Sequence, residues 1–217
     1  MKSITSALIV ALVSIAPTNS WSGPNEGGVL ILHAAADIVF TSGVDYCGQS
    51  GLANCSEAIV QVEGDDIATV FILAAFPGAN SPRLAGVTLG IDYSRTNIGI
   101  IDWGSCGDFQ LPTGDWPEPG SGSSVTWLEA ETDHVVEIHW FGLGDYYGNA
   151  TTFNVTEHPS RGGSAIFADD SIPAEIDIAV DHGRLGFGGA EGYLPCPDPV
   201  PIEQTTWGQL KATYRSR

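Results

Sequence analysis

The central part of this sequence contains no lysine. All 26 carboxylates lie between Glu26 and Glu203. The basic side chains within that stretch are Arg83, Arg95, Arg161 and Arg184. The other basic residues lie near the two ends of the sequence. Because so acidic a surface repels phosphates and anionic lipids, nucleic acids and anionic membranes are excluded as favoured partners.

Long hydrophobic runs are also lacking, apart from one near the start. That run begins at Ile4, after Lys2, and ends before the small residue Ser20; it is too short to span a bilayer. The pattern predicts a secretory signal peptide over residues 1–20, cleaved before Trp21. An uncleaved anchor is the alternative, but no stop-transfer pattern follows. We therefore expect an exported protein that is secreted, periplasmic or on the cell surface.

The sequence has no Cys-x-x-Cys pair, which disfavours a zinc site. In an exported protein the even number of cysteines predicts two disulfides, and four cysteines allow three pairings. Cys47 and Cys55 bracket a short loop that a bridge could close locally. That pairing would leave Cys106 to reach Cys196.

The common hydrolase motifs are missing as well. There is no Gly-x-Ser-x-Gly elbow, no His-Glu-x-x-His and no phosphate-binding loop. A jelly-roll glycoside hydrolase is nevertheless the alternative to a non-catalytic role. Glu137 is its best candidate acid, because it lies in mid-strand on a predicted face with His139. No second carboxylate can be assigned as its partner.

What the sequence does have is a series of short apolar runs separated by Gly, Pro, Asn and Asp. With few helical patterns between them, these runs predict an antiparallel β-sandwich over residues 21–196, of the jelly-roll or immunoglobulin-like type. A two-turn helix is expected only at 173–180. The predicted strands are 29–33, 38–40, 59–62, 68–76, 87–93, 98–103, 135–141 and 151–155.

Two of these strands, on either side of the loop 142–149, are expected to form a hairpin. Pairing Ile138 with Phe153 places the apolar side chains of both strands on one face. The loop is long for a hairpin and carries Tyr146 and Tyr147. Because long loops with aromatic residues often bind ligands, we predict a binding role for both.

Trp116 is the third predicted ligand-binding residue. It lies in a loop with two prolines, and aromatic rings beside polar groups on such loops suit a carbohydrate ligand. The alternative is that Trp116 folds over the edge of the sandwich as a plug. A surface protein is the other partner that we consider.

Calcium is the one cofactor that the composition suits. Asp169 and Asp170 supply hard oxygen ligands in a turn and are our choice for such a site. Turn aspartates also close Asx turns, and this structural role is the favoured one.

The end of the sequence differs from the rest in charge and pattern. A proline-rich linker at 197–204 precedes a basic segment at 205–217. The segment predicts a short amphipathic helix, which needs a partner surface because it is too short to be stable alone. Two alternatives stay open: the segment binds its own domain, or it is a recognition tag for an export or anchoring system. The residues expected to make the contact are Trp207, Leu210, Lys211 and Tyr214.

Several short motifs resemble those of a group of exported proteins predicted from environmental bacterial genomes. The C-terminal Thr205-Thr-Trp-Gly segment with its later Tyr-Arg is similar to endings found among such proteins. The resemblance implies a bacterial source and export, and it implies no activity. The other motifs that carry it are Asp45-Tyr-Cys-Gly, Ser81-Pro-Arg-Leu, Cys106-Gly-Asp-Phe, Phe167-Ala-Asp-Asp and Gly192-Tyr-Leu-Pro.

Overall fold

A computed structural model describes residues 23–63, 66–160 and 162–197. The predicted leader, the segment 205–217 and nearly all of the linker lie outside these ranges. Within them no helix has the length and apolarity needed to cross a bilayer. The described strands are β1 Val29–Ala34, β2 Gln61–Val62, β3 Ala68–Ala75, β4 Leu84–Tyr93, β5 Ile98–Ser105, β6 Phe109–Pro112, β7 Gly122–Glu131, β8 Val135–Asp145, β9 Thr151–Thr156, β10 Ile166–Ala168, β11 Ile176–Ile178 and β12 Arg184–Phe187.

These strands form two sheets packed face to face. Sheet A has the order β1-β3-β8-β5, and sheet B contains the remaining strands. In sheet B one edge of β4 pairs with β7, which also pairs with β6. The other edge of β4 pairs with β10 through Gly86–Thr88 and with β9 through Gly90–Tyr93. Among the strand pairs of the described residues only β2 with β12 is parallel, and an isolated parallel bridge joins Leu30 to His182. The predicted all-β sandwich is confirmed.

The main core lies between the sheets, where every second residue of the long strands points inward. The largest fully buried side chains of this layer are aromatic or aliphatic, which is what stabilises the sandwich by removing apolar surface from water. They include Phe141, Phe153, Phe167, Phe187, Leu30, Leu32, Ile72, Leu84 and Leu89.

A second apolar layer covers the outer face of sheet A. The segment 35–58, which we call the covering segment, crosses this face and contributes the buried ring of Tyr46. That ring packs edge-on against Trp140 of β8, with 5.2 Å between ring centroids. Phe40 lies over Gly142, where a Cβ atom would overlap the Phe40 ring. Residues 38–40 were expected to form a strand; they belong instead to this irregular cover.

Two disulfides fasten the covering segment, but not in the expected pairing. Cys47 is bonded to Cys106 and Cys55 to Cys196. The local Cys47–Cys55 bridge was wrong because the two cysteines lie at different points of the cover. Cys47 meets Cys106 just after β5, and Cys55 meets Cys196 near the end of the described chain. Two disulfides fit an oxidising compartment.

A β-bulge in β8 changes which of its side chains point inward. The register of β8 against β3 shifts between the pairs Ile72–His139 and Leu73–Glu137. As a result Ile138 and His139 both belong to the inner side, while Glu137 and Trp140 lie on the outer side under the cover. The prediction that Glu137 and His139 share a face was therefore wrong.

Two local predictions were also wrong. The strands before and after loop 142–149 do not form a hairpin, because β8 belongs to sheet A and β9 to sheet B. Ile138 and Phe153 therefore belong to the same core but come from different sheets and are not hydrogen-bonded neighbours. The helix expected at 173–180 is replaced by β11, because its alternating β-branched residues Ile176 and Ile178 suit an extended backbone.

Candidate functional site

A groove of about 390 Å³ lies along β5, an edge strand of sheet A. Its floor is formed by β5, and its walls come from the end of β4, the loop before β7 and the residue after β8. The groove combines aromatic rings with charged groups. The side chains that line it include Tyr93, Arg95, Ile101, Asp102, Trp103, Glu118 and Tyr146.

Tyr146 lies down across β5 because Gly99 has no side chain. A Cβ atom at Gly99 would overlap the hydroxyl and ring of Tyr146. The Tyr146 ring stays 59% exposed and lines the groove. Tyr147 is 73% exposed and does not line it. The two neighbouring tyrosines, predicted as a pair, therefore occupy different settings.

The charged groups of the groove have partners in the protein. Arg95 Nε lies 3.0 Å from Glu118 Oε2 in a solvent-exposed ion pair. Asp102 Oδ2 accepts hydrogen bonds from the Gly43 amide at 2.8 Å and from Ser42 Oγ at 3.2 Å. These bonds, with one from the Trp103 amide, lower the pKa of Asp102. The carboxyl group is thus held ionised.

The hydroxyl group of Tyr93 forms the inner wall of the groove. It donates to the Pro117 carbonyl at 3.2 Å. Burial, with the nearby charge of Glu118, raises the pKa of Tyr93 to about 12. The phenol therefore stays protonated at any ordinary pH.

Trp116 is in the core and not at the surface. It is only 9% exposed, and its ring lies 5.0 Å from that of His139 and 6.1 Å from those of Trp103 and Phe141. It thus adopts the plug position that the sequence left as an alternative. A ring buried to this extent offers little surface to a ligand.

His139 occupies the middle of this aromatic cluster. Its Nδ1 donates to the Gly104 carbonyl at 3.1 Å. Burial lowers the pKa of His139 to about 4, against a small opposing effect of that hydrogen bond. The ring is therefore neutral and structural at neutral pH.

Glu137 holds the covering segment in place. Its Oε2 accepts the Gly48 amide at 2.6 Å, and its Oε1 accepts the Ser50 amide at 2.8 Å. Nearby, Trp140 Nε1 donates to Asp45 Oδ1 at 3.0 Å. With both oxygens engaged by the cover, Glu137 is not in the groove. These hydrogen bonds give Glu137 a structural role, and the same residue lines a second cleft with Trp127, Glu131 and Asp133.

Asp169 and Asp170 also have protein partners. Asp169 Oδ1 accepts from Ser171 Oγ and the Glu175 amide, both at 2.7 Å. Desolvation raises the pKa of the Asp169 carboxyl group, but these hydrogen bonds together lower it by more, so the pKa lies below its usual value. Asp170 is ion-paired with Arg83, whose Nε lies 2.7 Å from Oδ1. Within the described residues no cluster of three His, Cys, Asp or Glu side chains could hold a metal ion.

The sequence indicated only one residue of the groove, Tyr146. Tyr93 and Arg95 lie at the end of β4 and just after it, whereas Glu118 lies in the loop before β7. They were not predicted because these two parts of the chain meet only in the folded protein. One signal was available: Arg95 is one of only four arginines in the acidic region.

No protein-family model matches this chain, and no curated protein matches it. Its fold is similar to that of a cohesin module from a family 33 glycoside hydrolase of Clostridium perfringens, with 11% identity and a TM-score of 0.44 over 59% of this chain and 88% of that one. A type I cohesin–dockerin complex from Clostridium thermocellum gives 8% identity and a TM-score of 0.44 over 73% and 92%. A third structure, a complex of a dockerin variant with the cohesin CaCohA2, gives 12% and 0.39 over 58% and 93%.

Proposed function

We propose that this protein is an exported, non-catalytic module that binds a carbohydrate in the β5 groove. The observation that carries the proposal is the composition of the groove. Tyr146 offers an exposed ring face, while the Arg95–Glu118 pair offers a donor and an acceptor within one groove. Binding sites typically combine apolar surface with a few such convergent polar groups.

A binding role is favoured over hydrolysis by the state of the carboxylates. A glycosidase needs one carboxyl group with a raised pKa to act as general acid. Asp102 has a lowered pKa and is held by the cover, and Glu118 is paired with Arg95. Glu137 lies outside the β5 groove, and both of its oxygens accept amides of the covering segment.

The test is a binding screen against soluble and insoluble polysaccharides, with isothermal titration for any that bind. Tyr146→Ala removes the exposed ring, and we expect at least a tenfold weaker Kd, or about 1.4 kcal/mol. Gly99→Ala pushes the Tyr146 ring off β5 and should weaken binding similarly. Tyr147→Ala is the matched control: its ring packs edge-on against Tyr146 at 6.4 Å between centroids but does not line the groove, so Kd should change much less than in Tyr146→Ala.

Three results would overturn the proposal. The first is that no polysaccharide binds, and the second is that the Tyr146 and Tyr147 variants lose affinity equally. The third is the appearance of new reducing ends during incubation, which would indicate hydrolysis and support the glycosidase alternative.

A further inference from the structure

The outer face of sheet B carries exposed apolar side chains between β6 and β11. Direct cross-strand partners share a face, so the pairings define two rows of five residues across β6, β7, β4, β10 and β11. The first row is Phe109, Thr126, Gly86, Ala168 and Ile176, and the second is Leu111, Ser124, Thr88, Ile166 and Ile178. We call these ten residues the open face.

The open face has no ionisable side chain, although the domain around it is strongly acidic. The residues at its centre have mostly small side chains, and the residues at its two sides have apolar ones. Phe109 and Leu111 on one side are 62% and 64% exposed, and Ile176 and Ile178 on the other are 53% and 62% exposed. Exposed apolar surface of this kind, bordered by polar residues, typically marks an interaction site.

Carboxylates lie along one end of the open face. Asp108 precedes Phe109, and Glu175 precedes Ile176, so both flank the first row. Glu129 and Glu131 continue β7 past that row in the same direction. An occupant of the open face therefore needs apolar side chains together with positive charge at this end.

The described chain ends near the same end of the sandwich. Pro197 lines a cleft with His134 and Phe76, and His134 follows Glu131 by three residues in the turn after β7. The linker from Pro197 to Gln204 can extend about 25 Å at 3.1 Å per residue. Because Cys196 is bonded to Cys55, the linker starts on the cover side of sheet A and must pass roughly 20 Å, two layer spacings, to reach the outer face of sheet B. Its extended length is sufficient for this distance.

We propose that the open face is the docking surface for this chain's own C-terminal segment, Thr205–Arg217. The segment supplies what the face lacks: apolar side chains at Trp207, Leu210 and Tyr214, and positive charges at Lys211, Arg215 and Arg217. If it forms the predicted helix, thirteen residues span about 20 Å, which matches five strands at about 4.8 Å spacing. A second copy fits less well, because its own open face has no positive charge to place beside these carboxylates.

Endoproteinase Lys-C gives a direct test, because Lys2 and Lys211 are the only lysines of the chain. The cut after Lys211 is identified by the mass of its products. Docking should protect this bond, so we expect slow cleavage that is at least tenfold faster in Phe109→Asp and Ile178→Asp variants. Val39→Asp is the matched control: Val39 is 87% exposed in the covering segment, and its replacement should not change the rate.

Carbodiimide coupling locates the docked segment. It joins the Lys211 amine to a carboxylate in contact, and we expect Asp108, Glu129, Glu131 or Glu175. Mixing isotopically labelled and unlabelled chains separates links within one chain from links between two. Equal cleavage of all variants, links to distant carboxylates such as Asp37, or links mainly between chains would each overturn the proposal; the last would indicate exchange between two copies.

Discussion

The outer face of sheet A is buried under the covering segment, whereas the open face of sheet B leaves Phe109, Leu111, Ile176 and Ile178 in contact with solvent. Both faces are apolar, but only the first has a cover within the described chain. That cover is fastened by two disulfides and by the carboxylates of Asp45 and Glu137. One outer face is therefore part of the core, whereas the other stays exposed within the described residues.

The largest effect should come from releasing the cover. In the loop-entropy model, a closed loop the length of Cys47–Cys106, with a sequence separation of 59, contributes about 4 kcal/mol to the free energy of unfolding. We expect the double Ser variant at these positions to lose about that amount in urea denaturation. A loss below about 1 kcal/mol would mean that the cover is held mainly by its other contacts.

Matched truncations on the two outer faces should give unequal losses. Leu73 on sheet A is fully buried under the cover, so Leu73→Ala should cost about 3 kcal/mol. Ile178→Ala on the open face should cost less than about 1 kcal/mol, because the side chain is largely exposed already. Both losses in unfolding free energy are to be measured by chemical denaturation, relative to the unmodified protein. Similar losses at the two positions would remove the distinction between the faces.

Loss of a single charge under the cover should have a smaller effect. Glu137→Gln weakens the hydrogen bonds to the Gly48 and Ser50 amides, and we expect a loss of about 2 kcal/mol. Glu129→Gln on β7 is the control, since it removes one exposed carboxylate without touching the cover. If the two variants were equally stable, Glu137 would not fasten the segment.

The smallest effect should be a pH dependence that originates at the cover. His33 Nδ1 accepts the Ile59 amide at 3.0 Å, and burial lowers the pKa of His33. The unfolded chain then binds the proton more readily, so stability is complete above about pH 6.5 and falls as the pH decreases. Between pH 7 and 6 this residue should contribute less than about 1 kcal/mol.

His33→Gln should reduce the change in unfolding free energy between pH 7 and 6. The measurement is thermal unfolding across the pH range. His139 lies in the inner core, and burial lowers its pKa to about 4, so it adds the same sign of dependence in both proteins. An unchanged slope in the His33 variant would assign the whole effect to His139 and to other groups.

Sequence patterns predicted the long strands well, because β1, β3, β4, β5 and β8 alternate or run apolar over six or more residues. They failed where the fold depends on contacts distant in sequence. Nothing local reveals that β8 and β9 lie in different sheets, or that the bulge beside Ile138 turns His139 inward. The strands β6 and β7 were missed because their region is rich in Gly and Ser.

The candidate site was predicted only in part for the same reason. Tyr146 stood out as an aromatic residue in a loop, and the structure places it in the groove. Trp116 looked similar in sequence, but its loop folds back over His139. Whether a loop residue is buried depends on the cavity that remains between the packed sheets, and the local sequence does not predict that cavity.

The bond between Cys55 and Cys196 has a mechanical consequence. If the C-terminal segment is held by an attachment, tension along the linker enters the domain at Cys196 and passes directly to Cys55. The part of the chain between these cysteines has a sequence separation of 141 and includes β2 to β12. Because the disulfide transmits the force directly, this part is not stretched. A pull between the linker and the part of the chain before Cys55 would therefore leave the strands β2 to β12 under no tension for as long as the bond stays oxidised.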